Sequence, residues 1–200
     1  MMDSTVMMKP SLAQLRAELR HEKQKKEYSR TFRGTIFVLL VVAAISVLIS
    51  SFFLTVLKVS GESMSPSLET GQIVVALNSD KFTPGEMIAF YYNNKVLVKR
   101  VVGSPGDWIN IDEDGNVSVN GEPLDEPYLK VKAKYASSTS ESEQIKFPYQ
   151  VPESRYFVLG DNRDVSIDSR STVVGCVSKE QLIGKLVYRV FPFKEISKLN

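Results

Sequence analysis

Histidine and cysteine are almost absent from this chain, which has one of each in 200 residues. The single cysteine, Cys176, rules out an intrachain disulfide, and its apolar neighbours favour a small buried side chain over a reactive thiol. The single histidine, His21, lies in the N-terminal segment. The C-terminal domain therefore cannot contain a Ser-His-Asp triad, a Cys-His pair or a zinc site that uses histidine. Any hydrolytic chemistry there requires another base.

A strong excess of one charge is also missing, since the formal net charge is +2. The C-terminal part has no run of basic residues interleaved with aromatics, so we predict that nucleic acid is not a partner. Residues Asp112 to Gly115 faintly resemble a calcium loop, but they lack its alternating ligands and are better explained as a hairpin turn. We predict no metal and no other cofactor.

One long apolar run is present at residues 34–57, GTIFVLLVVAAISVLISSFFLTVL. As a helix it would be roughly 35 Å long, which is enough to cross the hydrocarbon core of a bilayer with some tilt. A cleavable signal peptide is the alternative, but the run is longer than a typical apolar h-region and no clear A-x-A site follows it. We predict an uncleaved transmembrane helix at residues 34–57.

The charges on either side of this run predict its orientation. Residues 1–33 contain eight lysines and arginines, whereas residues 58–77 contain only Lys58. By the positive-inside rule, residues 1–33 form a basic cytoplasmic tail and residues 58–200 an extracytoplasmic domain. The chain is therefore expected in the plasma membrane, with one span and with membrane lipids as partners.

The part of the chain after the apolar run has short β-like runs separated by turns. Asn93-Asn94 and Asp114-Gly115-Asn116 each lie between two such runs and predict hairpins. The stretch 134–146, rich in Ser, Thr and Glu, predicts an exposed loop. We predict a mainly β protein, in which a single N-terminal transmembrane helix precedes an all-β domain with a curled sheet or partial barrel. The predicted strands are 72–77, 86–92, 95–102, 108–111, 117–119, 156–159 and 186–190.

A lysine within one apolar strand is a candidate base. If Asn93-Asn94 forms a two-residue turn, Lys99 pairs with Ile88 and lies among apolar side chains. Burial lowers the pKa of a lysine, and a neutral amine near pH 7 can act as a general base. The alternative, which the strand alone favours, is an edge lysine or one whose stem reaches back to water.

Two polar stretches contain further candidates. SGESMSPSL, residues 60–68, has the composition of a turn and contains Ser63, a candidate nucleophile. GDNRDVSIDSR, residues 160–170, is by itself a polar turn, and its two arginines favour ion pairing of its aspartates over metal binding.

Together these stretches resemble the type I signal peptidases of bacteria, which are membrane-bound Ser/Lys serine proteases, in their single-span form typical of Gram-positive bacteria. SGESMSPSL resembles the nucleophile box, FTPGEMIAF the strand after it, VLVKRVVGSPGD the general-base box and GDNRDVSIDSR the last of the family's boxes. The four boxes occur in the family's order, behind one span. The resemblance covers most of the chain, from the span to about Arg170.

The resemblance implies a role for each matching residue. Ser63 would be the nucleophile, and Lys99 would be the general base. The supporting residues would be Ser166, which orients the lysine amine, Asp168 and Arg170 as an ion pair behind it, Gly160 and Asp161 in the turn that reaches the site, and Met64 and Arg100 beside the dyad.

The oxyanion donors are only partly defined by the resemblance. The Ser63 N–H would be one donor. Some family members have a hydroxyl residue two positions before the nucleophile, where this chain has Gly61, so Ser60 is the candidate for the second donor. Ser67 stands where threonine is common in the family, and Val165 stands where asparagine is common. Neither difference removes a catalytic group.

The implied substrates are the signal peptides of exported preproteins, cleaved after small residues at −3 and −1. Five residues between the predicted span and Ser63 would hold the nucleophile near the outer membrane surface, with the export machinery nearby. We expect two shallow apolar pockets and a substrate bound as an extended strand against a sheet edge.

Two other classes of protein are alternatives. Self-cleaving repressors of the LexA type share the Ser-Met and Lys-Arg pairs, but they are soluble and carry a DNA-binding region. A catalytically silent, membrane-anchored binding module would keep the fold and lose the dyad, whereas this chain keeps Ser63 and Lys99.

Overall fold

The structure is a computed structural model that describes residues 12–79, 81–129 and 144–199. The chain divides into two compact units, residues 1–52 and 53–200. Helix α1 (Leu12–Phe53) provides the first unit, and its part from Leu19 onward is long and apolar enough to cross a membrane. The described apolar side chains of α1 are exposed, as suits a helix that is surrounded by lipid.

The helix ends at Phe53, four residues before the predicted end of the span. Residues 54–57 belong instead to strand β1 (Leu54–Lys58), which pairs with the next strand along its whole length. Thr55 and Val56 are β-branched, and such residues suit a half-buried strand. Nine residues, not five, therefore separate the end of the helix from Ser63.

The second unit is built from antiparallel strands. After β1 these are β2 (Ile73–Leu77), β3 (Met87–Tyr92), β4 (Lys95–Gly103), β5 (Trp108–Ile111), β6 (Val117–Val119), β7 (Glu122–Pro123), β8 (Tyr149–Gln150), β9 (Arg155–Leu159), β10 (Val177–Ser178), β11 (Leu182–Phe191) and β12 (Ser197–Lys198). All seven predicted strands are present, with ends that differ by up to four residues at β11. The prediction of a mainly β protein behind one apolar helix is confirmed.

The strands form two sheets. The larger sheet has the order β1-β2-β11-β3-β4-β9-β10, with β12 also paired to β11, and the smaller has the order β7-β6-β5-β8. Register shifts interrupt β11 in three places and β4 in one, and such bulges bend a sheet. The larger sheet is therefore an irregular, open sheet.

The hairpin between β3 and β4 has the predicted register. Asn93 and Asn94 have φ values of +43° and +61°, as a tight two-residue turn requires. Ile88 consequently pairs with Lys99, and Phe90 with Leu97. This local turn places Lys99 opposite Ile88, which is fully buried.

The stretch predicted as an exposed loop, 134–146, lies mostly outside the described residues. Its last three residues are described, and Ile145 among them is buried. The Ile145 N–H donates to Arg170 O at 2.9 Å, and Gln144 forms a bridge to Ser171. This end of the stretch therefore packs beside the last polar box.

Candidate active site

Ser63 lies on a turn whose flanking residues are anchored in the core. Met64 and Leu68 are buried, and the Leu68 N–H donates to Met64 O at 2.9 Å. Ser63 is half-buried, and its carbonyl accepts a hydrogen bond from the Asn162 N–H at 3.0 Å. The first and last polar boxes are thus joined through the backbone of Ser63.

Gly61 has a φ of +92°, a conformation that residues with a side chain rarely adopt. The backbone of this turn therefore favours glycine at the position two residues before Ser63, where the chain has no hydroxyl group to offer. Ser60 is exposed and lines the same cleft as Ser63. It remains the candidate for the second oxyanion donor.

Lys99 is buried in β4, with 2% of its surface exposed. Burial lowers the pKa of its amine from 10.5 to about 8. The negative charges of Asp168 and Asp161 oppose this shift, and the positive charge of Arg170 adds to it. The alternative of an exposed edge lysine is wrong, because the whole side chain is buried. The geometry instead fits an amine that is neutral in part of the population near pH 8.

A buried chain of hydrogen bonds runs behind Lys99. Its Nζ donates to Ser166 Oγ at 2.9 Å, and Ser166 Oγ donates to Asp168 Oδ2 at 2.7 Å. Asp168 also accepts from the Gly160 N–H and from Arg170. Burial alone would raise the pKa of Asp168. Its pKa is nevertheless below the usual value, because Arg170 contributes a positive charge and hydrogen bonds, and Gly160 and Ser166 donate further hydrogen bonds. This carboxylate stays ionised inside the protein.

Gly160 lies where the turn that carries Ser63 and the last polar box come close together. A Cβ atom at this position would lie 2.2 Å from Ser166 Oγ and 2.6 Å from Ser63 O. Only glycine permits such an approach. The absence of a side chain at Gly160 therefore allows Ser63 and Ser166 to come close to the same backbone position.

Arg100 and Asp161 form a second buried ion pair, next to Lys99 in the sequence of β4. Arg100 Nε and Nη2 donate to the two carboxylate oxygens of Asp161 at 2.9 and 2.6 Å. Arg100 Nη1 also donates to Gly85 O at 2.7 Å. This pair connects β4, directly after Lys99, to the last polar box.

The structure does not join Ser63 directly to Lys99. Within the described residues, the hydrogen bond from Lys99 goes to Ser166, and no hydrogen bond connects Lys99 Nζ to Ser63 Oγ. A base and its nucleophile often come within hydrogen-bond distance only when substrate is bound. Both residues instead contact the segment 160–166: Lys99 donates to the Ser166 hydroxyl, and the Ser63 carbonyl accepts from the Asn162 N–H.

A small cleft of about 110 Å³ lies beside Ser63. It is lined by Ser60, Gly61 and apolar residues of the segment after β1 and of β4, among them Val59, Val96 and Val98. No group of three His, Cys, Asp or Glu side chains in the described residues is arranged to hold a metal.

Sequence reasoning missed part of this network. Glu126 forms a buried ion pair with Arg163, and Tyr128 donates to Glu126 at 3.0 Å. Arg163 lies in the last polar box, where ion pairing with the aspartates of that box was expected. Its partner is Glu126 instead, and nothing in the local sequence around Glu126 indicates this contact.

These parts are a half-buried serine and a buried lysine of lowered pKa, in a region without histidine. The sequence model of the family described as signal peptidase, peptidase S26, matches residues 31–191, a range that includes the whole site. The chain belongs to this signal peptidase family. The apolar helix α1 agrees with a membrane-anchored member of the family.

Signal peptidases of several bacteria are similar to this chain. Signal peptidase I of Bacillus amyloliquefaciens is 33% identical over 186 residues, which are 90% of this chain and 99% of the relative. Signal peptidase IB of Staphylococcus aureus (strain COL) is 34% identical over 166 residues, which are 74% of this chain and 83% of the relative. The crystal structure of a signal peptidase I from Enterococcus faecalis V583 is 32% identical, with a TM-score of 0.40, and covers 53% of this chain and 97% of that chain.

Proposed function

We propose that this protein is a membrane-anchored signal peptidase I that cleaves signal peptides from exported preproteins with a Ser63–Lys99 dyad. The observation that carries the proposal is the burial of Lys99, whose pKa is lowered to about 8 and whose Nζ donates to Ser166. A serine hydroxyl needs a base to become a nucleophile, and a buried lysine is the base that a histidine-free domain can supply. Membership of the signal peptidase family supports the choice of substrate.

In the proposed mechanism, Ser63 Oγ attacks the scissile carbonyl while the neutral amine of Lys99 takes its proton. The ammonium of Lys99 then gives this proton to the leaving amine, and an acyl-enzyme forms on Ser63. The amine, neutral again, takes a proton from the water that attacks this ester, and returns it to Ser63 Oγ as the bond between Oγ and the acyl carbon breaks. Ser166 orients the amine through both stages, and Asp168 and Arg170 hold Ser166.

The developing oxyanion would be stabilised by the Ser63 N–H and the Ser60 hydroxyl. Among the described residues, no carbonyl accepts a hydrogen bond from the Ser63 N–H. The Asn162 N–H instead holds the carbonyl of Ser63, on the other side of its Cα. Each donor in such a site contributes about 3–4 kcal/mol to transition-state stabilisation in other enzymes.

The cleft beside Ser63 supports a preference for small side chains. Its volume of about 110 Å³ and its walls of valine suit alanine-sized groups at −1 and −3. Strand β1 is an edge of the larger sheet, and residues 95–99 of β4 extend beyond the pairing with β9. An extended substrate would thus find unpaired backbone on the cleft side of β4.

The membrane anchor supplies the remaining part of the proposal. We place residues 1–33 in the cytoplasm and residues 58–200 outside, because the basic residues precede the apolar helix. A signal peptide held in the bilayer would then present its cleavage site at the outer surface, close to the export machinery. Protease added to intact cells should digest the second unit and spare the N-terminal tail.

The test is cleavage of a preprotein with Ala at −3 and −1 by the full-length protein in detergent micelles. The parent should cut after the −1 residue, and Ser63→Ala and Lys99→Ala should each lose at least about 10³-fold in kcat/KM. A preprotein with a large −1 residue should be cut poorly. An inactive parent, with no labelling of Ser63 by a serine-reactive probe, would favour the silent binding module instead.

A further inference from the structure

A turn at residues 126–129, in which Glu126 is buried, contacts the last polar box through Arg163. The Leu129 N–H donates to Glu126 O at 3.1 Å, which closes the turn. The carboxylate of Glu126 is buried, and both of its oxygens accept hydrogen bonds from the guanidinium of Arg163. The Tyr128 hydroxyl donates to the same carboxylate at 3.0 Å. A buried carboxylate is stable only with such partners, so the ion pair fixes the turn to the last polar box.

Tyr128 extends the contact to the neighbouring ion pair. The guanidinium carbon of Arg100 lies 4.0 Å from the centroid of the Tyr128 ring, in the geometry of a cation–π interaction. Arg100 in turn holds Asp161 through two hydrogen bonds. The turn therefore supports both ends of the three-residue segment Asp161–Arg163.

These contacts form a closed ring around one backbone amide. The ring passes in order through Glu126, Arg163, Asn162, Asp161, Arg100 and Tyr128. Asn162 is the residue whose N–H donates to the Ser63 carbonyl at 3.0 Å. Arg163 Nε also donates to Gly160 O at 3.0 Å, so the ring holds Gly160 as well. The position of the Ser63 backbone thus depends on a turn that lies outside the family's sequence boxes.

We propose that Glu126 and Tyr128 are positioning residues, which keep the Ser63 hydroxyl in position to react with Lys99. They act through Arg163 and Arg100, which hold the segment whose Asn162 N–H binds the Ser63 carbonyl. This inference rests on the proposed function of Ser63 as the nucleophile. A displacement of about 1 Å in a reacting group can lower a rate about 100-fold. Weakening the ring should therefore lower kcat and leave KM almost unchanged, because the substrate cleft is lined by other residues.

The first test compares the full-length Glu126→Gln variant with the parent in detergent micelles. The amide keeps the shape of the side chain and removes the charge that Arg163 pairs with. We expect kcat per active site, counted with a covalent serine-reactive probe, to fall about 10- to 100-fold with KM changed less than about threefold. Glu122→Gln, an exposed glutamate on β7, is the matched control and should behave as the parent does.

Two substitutions at Tyr128 separate its hydroxyl from its ring. Tyr128→Phe keeps the ring over Arg100, so kcat should fall less than about threefold, whereas Tyr128→Leu removes the cation–π contact and should cost about tenfold. The exposed Tyr91, changed to Phe, is the control for the first of these variants. Equal losses for Phe and Leu would contradict the role of the ring.

A second readout does not depend on activity. Hydrogen exchange of the Asn162 amide, measured without substrate, should be at least about tenfold faster in Glu126→Gln than in the parent. Unchanged exchange, or an unchanged kcat per active site with only fewer active molecules, would overturn the positioning role and leave a purely structural one. If the parent cleaves no preprotein while the exchange behaves as expected, the proposed function fails and the ring stands.

Discussion

Lys99 and Ser166 are joined by a 2.9 Å hydrogen bond in which the lysine is the donor. The hydroxyl hydrogen of Ser166 is directed to Asp168 Oδ2, 2.7 Å away, so the serine oxygen can only accept from Lys99. A neutral amine that donates to Ser166 keeps its lone pair for another proton. The orientation of this hydrogen bond is therefore the one that a base for Ser63 requires.

Removing the partner of the amine should reduce the rate of catalysis. In Ser166→Ala, Lys99 loses the acceptor of its hydrogen bond, which in the proposed mechanism orients the amine. We expect kcat to fall about 10- to 100-fold, part of the 10²- to 10⁴-fold that a positioned base contributes. Steady-state cleavage of a preprotein by the full-length protein measures this. Ser118→Ala, a partly buried serine on β6, is the control. An unchanged kcat in Ser166→Ala would show that Ser166 does not orient the base.

The buried charge of Lys99 should make the folded protein less stable near neutral pH. Its pKa falls from 10.5 to about 8 on folding, which corresponds to about 3 kcal/mol. The lost hydrogen bond to Ser166 offsets about 1 kcal/mol of this, so Lys99→Met should be about 2 kcal/mol more stable at pH 7. This advantage should persist below pH 8 and shrink as the pH rises from about 8 to 10.5, where the unfolded-state amine also becomes neutral.

Urea denaturation of the full-length protein in detergent, followed by the fluorescence of the single tryptophan, Trp108, measures this difference. Lys95→Met changes an exposed lysine of the same strand and should shift the stability little at any pH. If Lys99→Met were less stable than the parent at pH 7, or if its advantage were the same at pH 10.5, the burial of a partly neutral amine would be contradicted.

The close approach at Gly160 predicts that a single methyl group disrupts the site. In Gly160→Ala the added Cβ would lie within 2.6 Å of Ser63 O and of both Ser166 Oγ and Cβ, and neither the backbone carbonyl nor the packed serine can move cheaply. We expect at least about a 100-fold loss of kcat/KM. Gly34→Ala, where a Cβ meets nothing within 4 Å, should cleave at the parent's rate. Near-normal activity of Gly160→Ala would exclude the packing described here.

Local features of the sequence were sufficient to predict the strand that carries Lys99. Asn93-Asn94 fixes the turn, and alternation along the strand then places Lys99 opposite Ile88. The end of the helix was not predictable in the same way, because Leu54 to Leu57 are apolar enough for a bilayer and also suit a strand. Pairing with β2, a tertiary contact, decides between the two.

The buried ion pairs around the candidate site could not be predicted from the sequence for a similar reason. The Arg100–Asp161 and Glu126–Arg163 pairs join residues that are 61 and 37 positions apart. The sequence shows the charge of such a residue but does not show which residue it pairs with. Charged residues close together in the sequence are usually solvated, and many pairings between distant ones are possible. The two-residue strands β7, β8, β10 and β12 were missed because so short a segment has no periodicity to detect.

The central claim, that Lys99 is the base, is tested most directly by the pH dependence of cleavage. The rate kcat/KM of the full-length protein on a preprotein with Ala at −3 and −1 should be measured from pH 6 to pH 10, beside Lys99→Ala. We predict a rate that rises with pH and levels off above a midpoint near the pKa of about 8, with no comparable activity in the variant. A rate that is independent of pH across this range, or a Lys99→Ala variant that still cleaves at the same site, would contradict it.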